Sequence, residues 1–394
     1  MTRLVLAVLV GLTACGSVNK LKAGQGSACA KDGDCVSGAC SDGVCCDRAC
    51  GGTCESCVAA DTGGTDGTCA AVKAGTDAAS ECPASDPDTC GANGTGCNGN
   101  AGAPACNVYP AEASCGTHCD ASGVVAMTCD GAGSCRPSGT PTACGYFACD
   151  AQGDACTTSC ATASDCAADG ACAGGTCIKK LRVALETGVN SCLLATGQVI
   201  PQVQAALVAR GHAVTIVSGA DLATAAQIAA YDVIVLDDPG NSCDNRDWAM
   251  FDGVIAPYIT GGGGIVATGW VLFNGPDPNL ATVLPGSGSS YLTGTQQLTP
   301  TGSHPISAGL HPFDGAPSYT PYGGTVNPGA TVFLVNGASS IGYAWTHGSG
   351  RAVYLGPIYM GYFPTYMNQA LSDGTEPDAL EMLLRAIEWA GQAR

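Results

Sequence analysis

Between Cys29 and Cys177 the chain carries 24 of its 27 cysteines and not one Leu, Ile or Trp. Ala and Cys make that stretch look apolar, but neither fills much volume, so it cannot close around an ordinary hydrophobic core. At about one cysteine in six, the density points to a disulfide-held scaffold in an oxidising compartment and argues against a reducing cytosol. The composition then changes abruptly after Lys179-Lys180: of the 22 aromatic residues, 19 lie beyond residue 178. A real core becomes possible only there. Residues 1–180 carry 9 Lys/Arg against 18 Asp/Glu, and residues 181–394 carry 6 against 15. Both halves are acidic, which disfavours binding to a nucleic-acid backbone.

The N-terminus reads as an export signal over residues 1–14: Arg3 gives a positive start, Leu4 to Leu12 is apolar, and small residues precede Cys15. Nine apolar residues are too few to span a bilayer. Leu12-Thr13-Ala14-Cys15 resembles the lipobox of bacterial lipoproteins, which implies that Cys15 is the lipidated first residue of the mature chain and holds the protein to a membrane. Gly16 in place of Asp after that cysteine favours the outer membrane, with the face left open. The alternative is a secretory signal with an incidental cysteine. Residues 15–27 then form a tether.

Within residues 28–178 two stretches echo each other. Cys29-x5-Cys35-x4-Cys40-x4-Cys45 matches Cys160-x5-Cys166-x5-Cys172-x4-Cys177, each with Asp-Gly or Gly-Gly turns between cysteines. Disulfides substitute for a core, each contributing about 2–4 kcal/mol by restricting the unfolded chain. Their connectivity is not readable from spacing. Zinc is disfavoured, since only Cys54-x2-Cys57 has the paired spacing of a structural site. Asp32, Asp34 and Asp42 read as turn formers rather than calcium ligands. The run Asp34-Cys35-x2-Gly38-x-Cys40-x2-Gly43-Val44-Cys45-Cys46, with Thr128-Cys129-Asp130-Gly131-x-Gly133-x-Cys135, resembles cysteine-rich modules in exported proteins of high-GC, predatory Gram-negative bacteria. That resemblance implies export and no known catalysis.

Residues 179–394 read as an alternating α/β domain. Strands are expected at Arg182 to Leu185, Ala213 to Val217, Tyr231 to Leu236 and Ile265 to Thr268, with later ones at Ala330 to Val335, Ile341 to Trp345 and Ala352 to Leu355. Helices are expected at Pro201 to Arg210, at Leu222 to Ala230, and through Trp248, Phe251, Ile255 and Tyr258. Thr375 and Asp378 read as a capping box for a terminal helix whose Leu380, Leu383, Leu384 and Ile387 face the sheet. The expected fold is thus a disulfide-rich N-terminal region of low regular structure, followed by an α/β doubly wound parallel-sheet (flavodoxin-like) C-terminal domain.

Five motifs carry a further likeness: Tyr231-Asp232-Val233-Ile234-Val235-Leu236, Gly261 to Val266, His304-Pro305-Ile306-x2-Gly309-Leu310, Gly348-x-Gly350-Arg351-Ala352-Val353-Tyr354 and Leu384-x2-Ile387-x-Trp389-Ala390. Together they resemble the class I glutamine amidotransferase-like superfamily. An active member needs a cysteine on a Gly-x-Cys-x-Gly elbow. Here the corresponding stretch is Val266-Ala267-Thr268-Gly269-Trp270, and the His-Pro-Glu position falls on Gly356-Pro357-Ile358. Nucleophile, base and orienter are all missing. Thr268 has no base in sight, and His304 and His347 have no visible partner. No catalytic residue, metal or cofactor is therefore assigned.

Ligands of doubly wound folds sit beyond the carboxyl ends of the strands. Glu186, Asp237, Asp238 and Trp270 fall there and form a candidate ligand rim for a sugar or cation; the plainer use of such carboxylates is to cap helices or satisfy loop amides. The favoured function is a surface-anchored, noncatalytic envelope lipoprotein that recognises an envelope or extracellular glycan. Two alternatives stay open: a carbohydrate-processing enzyme pairing Glu186 with Asp237 or Asp238, and a structural envelope protein without a ligand. Finally, Cys192 and Cys243 are left over once Cys15 is lipidated and 24 cysteines pair in the scaffold. Each follows a strand end in an Asn-Ser-Cys triplet, and those strands are neighbours in a 2-1-3-4 order, so a Cys192–Cys243 bridge is expected across the rim.

Overall fold

The computed structural model describes residues 21–186, 200–238, 252–273, 278–288, 290–315, 319–360 and 376–393. Cys15, Cys192 and Cys243, and with them the lipid anchor and the expected bridge, lie outside the described residues, as do Trp248, Phe251 and Thr375. The chain divides into two compact units, one of Met1–Cys119 with Val124–Thr142 and the other of Asp120–Gly123 with Ala143–Arg394.

In the first unit regular structure is confined to short strands, the longest being Cys135–Thr142, a single helical turn at Ala59–Thr62 and two 3-10 turns. Its order comes from sulfur. The cysteines fall into quartets bonded first to third and second to fourth: Cys29–Cys40 with Cys35–Cys45, Cys46–Cys57 with Cys50–Cys69, Cys54–Cys97 with Cys82–Cys106, and Cys90–Cys129 with Cys115–Cys135. The second, third and fourth quartets pack into small buried clusters that stand in for an aliphatic core. Cys54 and Cys82, in different bonds, have their sulfurs 3.4 Å apart beside Val72, and Cys90, Cys115 and Cys129 pack with Tyr109 and Met127. The quartets also interleave, because Cys54 lies in sequence inside the second and Cys90 inside the third.

The second unit contains the repeat of the first quartet, and the echo seen in sequence is an echo in structure. Cys160 bonds Cys172 and Cys166 bonds Cys177, the same pairing as in residues 29–45. Both modules open with a single 3-10 turn, Asp32–Asp34 and Ala163–Asp165. In both the last Asp of that turn folds back as an acceptor, Asp34 for the Ala30 amide and Asp165 for the Ala161 and Thr162 amides. Those amides hold the Asp165 carboxyl below its ordinary range. Each module closes with a hairpin, Cys40–Ser41 with Val44–Cys45 and Gly170–Ala173 with Thr176–Lys179. Asp42-Gly43 and Gly174-Gly175 supply the two successive positive φ values that a two-residue hairpin turn of this hand requires. Cys144–Cys156 precedes this module, and Cys119 and Cys149 are disulfide-bonded as well.

The module Cys160–Cys177 shares its packing with the strands and helices C-terminal to it. Ala171, Ala173 and Ile178 are buried in the same core cluster as Leu181, Val183 and Leu207. The Cys172 amide donates to the Arg210 carbonyl at 2.7 Å.

Beyond it, nine strands make one sheet: β1 Arg182–Glu186, β2 Ala213–Val217, β3 Val233–Asp238, β4 Gly264–Gly269, β5 Gln297–Pro300, β6 Phe313–Asp314, β7 Thr331–Asn336, β8 Ser339–His347 and β9 Gly350–Leu355. Their order is β2-β1-β3-β4-β9-β8-β7-β5-β6. The first five are parallel and the rest antiparallel. The wholly parallel sheet expected from sequence is thus corrected to a mixed one. Connection length explains the change: Gly348-Ser349 is a tight link that can only reverse the chain, and the same holds between β7 and β8.

Among the described residues the domain also has helices α1 Ile200–Ala209, α2 Ala225–Ile228, α3 Asp252–Thr260, α4 Pro278–Val283 and α5 Pro377–Ala390. The apolar strand runs are buried on both faces. Val183, Leu185, Val233, Val235, Val266 and Val353 pack with Val203 and Leu207 of α1 and Met382, Leu383 and Ile387 of α5. The intervening Ala184, Ile234, Leu236, Ile265, Ala267 and Tyr354 pack with Ile228 of α2, Ile255 and Ile259 of α3 and Leu280 of α4. Each fully buried Leu, Ile or Val contributes about 1.5–3 kcal/mol. α5 begins with Glu376 as N-cap and Pro377 in its first turn, where proline supplies the starting φ and needs no amide partner, and the Glu376 side chain makes no cap bond. The expected capping box of Thr375 with Asp378 rests on a residue outside the described set. At several glycines the backbone approaches too closely for any side chain: a Cβ on Gly350 would lie 2.0 Å from the Ile259 carbonyl oxygen, and one on Gly264 2.4 Å from that of Ala390.

A part-buried ionic group ties the end of α1 to α5. Arg210 bonds Glu388 at 2.6 Å and also bonds Glu381. His212 accepts the Leu181 amide on Nδ1 and turns Nε2 toward Glu388, 3.6 Å away.

Candidate functional site

The sheet register brings the carboxyl ends of four parallel strands side by side: Glu186 of β1 opposite Leu236 of β3, Asp237 of β3 opposite Thr268 of β4, and Thr268 opposite Leu355 of β9. Because Glu186 pairs with Leu236, the residue before Asp237, the two carboxylates sit at adjacent strand ends but on opposite faces of the sheet. Both are buried, at 2% and 4% exposure. Asp238 is the last residue of β3, and its side chain is outside the described set.

Asp237 is heavily used by the fold. It accepts the Met360 amide at 3.0 Å, the Tyr359 amide at 3.4 Å and the Thr268 hydroxyl. The two amides come from the turn after β9, over 120 residues away in sequence. Burial, and then the charge of Asp237, push the Tyr359 phenol far above its ordinary value, so it is a neutral hydroxyl across the physiological range. Asp237 thus pins the Gly356–Met360 turn to β3 and β4.

The position where the amidotransferase-like pattern places its cysteine is held by Thr268. Thr268 is fully buried, and its hydroxyl proton is directed at Asp237. Gly269 then takes a positive φ of 65°, which turns the chain sharply out of the sheet; its amide bonds the Pro357 carbonyl and its own carbonyl receives the Tyr354 hydroxyl at 2.7 Å. His304 packs between Phe333 and Trp389, and its Nδ1 accepts the Ile306 amide. His347 lies against Trp345 beside Gly350, where β9 starts, at the opposite end of that strand from Leu355. The structure does not bring either histidine to the strand ends.

The turn at Gly269 delivers Trp270, and here the structure supplies what sequence reading missed. Trp270 packs edge-on to Phe273, with ring centroids 4.7 Å apart, and lies 5.9 Å from Tyr291 and 6.1 Å from Tyr319. Tyr291 and Tyr319 stand 5.4 Å apart on a ribbon formed by Ser290–Thr293 and Tyr319–Tyr322. Tyr291 is 47% exposed, and the other three rings are half-buried. The indole Nε1–H of Trp270 is buried and has no acceptor among the described residues. The signal was diffuse in sequence, because four rings from three separate segments show no spacing pattern.

No protein-family model matches the chain, and no curated protein matches it. Solved structures do resemble it. A cytoplasmic protein of Salmonella typhimurium is 14% identical over 53% of this chain and 98% of its own, with a TM-score of 0.38. A ThuA-like protein of Bacteroides uniformis is 15% identical over 53% and 90%, with a TM-score of 0.39. The cold-adapted β-galactosidase of Rahnella sp. R3 is 16% identical over 56% of this chain but only 32% of its own length, with a TM-score of 0.36.

Proposed function

We propose that this is an exported, noncatalytic recognition protein of the cell envelope, held to a membrane through a lipidated Cys15, whose α/β domain takes a glycan on the Trp270 cluster. The carrying observation is the group of four rings, Trp270, Phe273, Tyr291 and Tyr319, at the carboxyl edge of the parallel strands, with Tyr291 half open to solvent. Sugars present apolar C–H faces framed by hydroxyls. Aromatic rings with a polar tip match that mixture, with the half-exposed Tyr291 the most open of the four. The 24 disulfide-bonded scaffold cysteines support exposure to an oxidising compartment, and no described helix is long and apolar enough to cross a membrane. The noncatalytic part is supported by Asp237 and Thr268, which are buried and occupied with each other and with turn amides.

The test is a glycan array probed with the wild-type chain, Tyr291→Ala and Trp270→Ala. Binding by the wild type that weakens at least tenfold in both variants, with unchanged thermal unfolding of Tyr291→Ala, supports the reading. Absence of binding to every envelope and extracellular glycan removes the recognition part.

A further inference from the structure

We infer that this chain matures as a substrate of a thiol–disulfide isomerase, because none of its scaffold disulfides joins cysteines that are consecutive in sequence. Every bond given above skips at least one cysteine: Cys29–Cys40 skips Cys35, Cys144–Cys156 skips Cys149, and Cys54–Cys97 skips Cys57, Cys69, Cys82 and Cys90. Cys119 cannot pair with its neighbours either, since Cys115 and Cys129 are bonded elsewhere.

A chain that enters an oxidising compartment N-terminus first exposes its cysteines in sequence order. Cys54 must wait for Cys97, 43 residues later, and Cys90 for Cys129, 39 residues later. At about 5–20 residues per second of synthesis, the first lag is roughly 2–9 s. During it Cys57 and Cys69 are already present, and loop closure to Cys69 is favoured about fivefold over closure to Cys97 by chain length alone. A fast disulfide donor therefore traps the wrong neighbours. Twenty-four cysteines allow about 3 × 10¹¹ full pairings, and the absence of Leu, Ile and Trp between Cys29 and Cys177 means that no aliphatic core pre-positions the thiols.

The correcting chemistry is redox-neutral. An isomerase thiolate attacks one sulfur of a wrong bond, such as Cys54–Cys57. A mixed disulfide forms, and the other cysteine leaves as thiolate. A free thiolate of this chain then attacks the mixed disulfide, forming a new intrachain bond and releasing the isomerase thiolate. The net oxidation is separate and comes from a protein disulfide donor.

The experiment refolds the reduced, denatured full-length chain with a protein disulfide donor alone, or with that donor plus a reduced thioredoxin-fold isomerase, and follows non-reducing peptide maps. Donor alone is expected to give scrambled maps. Adding the isomerase should raise the yield of the pairing described above at least tenfold. Equal yield and rate with the donor alone overturns the inference. A second readout does not depend on refolding yield: an isomerase whose resolving cysteine is replaced by serine should be captured as a mixed disulfide during oxidation, and absence of that adduct also overturns it. Neither assay depends on glycan recognition or on the lipid anchor, so failure here is distinct from failure of the proposed function.

Discussion

Replacing Asp237 by alanine tests whether the strand-end carboxylate is a structural pin. The carboxylate accepts two buried backbone amides, at 3.0 Å from Met360 and 3.4 Å from Tyr359, and the hydroxyl of Thr268. Each buried donor left without a partner costs about 1–3 kcal/mol, the long Tyr359 bond at the low end. Removing a buried charge returns part of its desolvation cost. The expected loss is therefore about 3–4 kcal/mol, which for a unit of this size lowers the unfolding midpoint by roughly 10 °C. Thr268→Val removes one of the three donors and should cost about 1–2 kcal/mol. Because both changes act on one bond, the double variant should fall short of the sum by about 1 kcal/mol. Calorimetry on the disulfide-intact chain gives the midpoints, and hydrogen exchange should show lost protection at Tyr359 and Met360. A midpoint shift under about 2 °C for Asp237→Ala, or strict additivity with Thr268→Val, refutes the pin.

Three further outcomes are expected. Burial between Phe333 and Trp389, then the charge of Arg351, hold the His304 imidazole below its ordinary value; a depressed folded value means that the unfolded chain binds the proton more readily, so the contribution is intact above about pH 6.5 and is lost as pH falls through the folded value. The midpoint should drop on acidification below that pH, with a shallower drop in His304→Gln. Gly264→Ala forces a Cβ to within 2.4 Å of the Ala390 carbonyl oxygen, between β4 and the end of α5, and should destabilise by about 1–3 kcal/mol or more in a denaturant titration. Replacing Cys160 and Cys172 by serine removes a crosslink of 12 residues, worth about 3 kcal/mol in the chain-entropy model, and should lower the midpoint of the α/β domain as followed by Trp fluorescence; an unchanged midpoint would mean that Ala171, Ala173 and Ile178 do not share its core.

The parallel half of the sheet was legible because its strands are continuous apolar runs, such as Val233 to Leu236, separated by helix-period segments. The two like modules were legible because cysteine spacing and Gly turns survive as a pattern. The pairing was not, since spacing fixes loop lengths but not partners. Strands β5 and β6, Gln297–Pro300 and Phe313–Asp314, escaped notice because Thr, Pro and Gly dilute the alternation there. The strand-end positions of Glu186, Asp237 and Trp270 were readable, but the partners that define their roles were not. Met360 reaches Asp237 from 123 residues away, and Tyr291 and Tyr319 reach Trp270 from a ribbon that no local periodicity announces. Similarly, nothing in the composition break after residue 178 signals that Ala171 and Ala173 are buried against Leu207.

The interleaved quartets determine how the scaffold carries tension. Pulled at Cys46 and Cys135, a free chain of that length would lengthen to about 300 Å. Here force runs through the disulfides: across Cys46–Cys57, back to Cys54, across to Cys97, back to Cys90, across to Cys129 and on to Cys135. Only about 16 residues of that route are peptide, and the three crossings span Cα–Cα distances of 5.8, 5.6 and 5.5 Å. The limit of extension is then about 70 Å. Once that slack is taken up, further extension requires breaking a covalent bond, so this stretch behaves as an inextensible spacer whose reach is set by its sulfur bonds rather than by its number of residues.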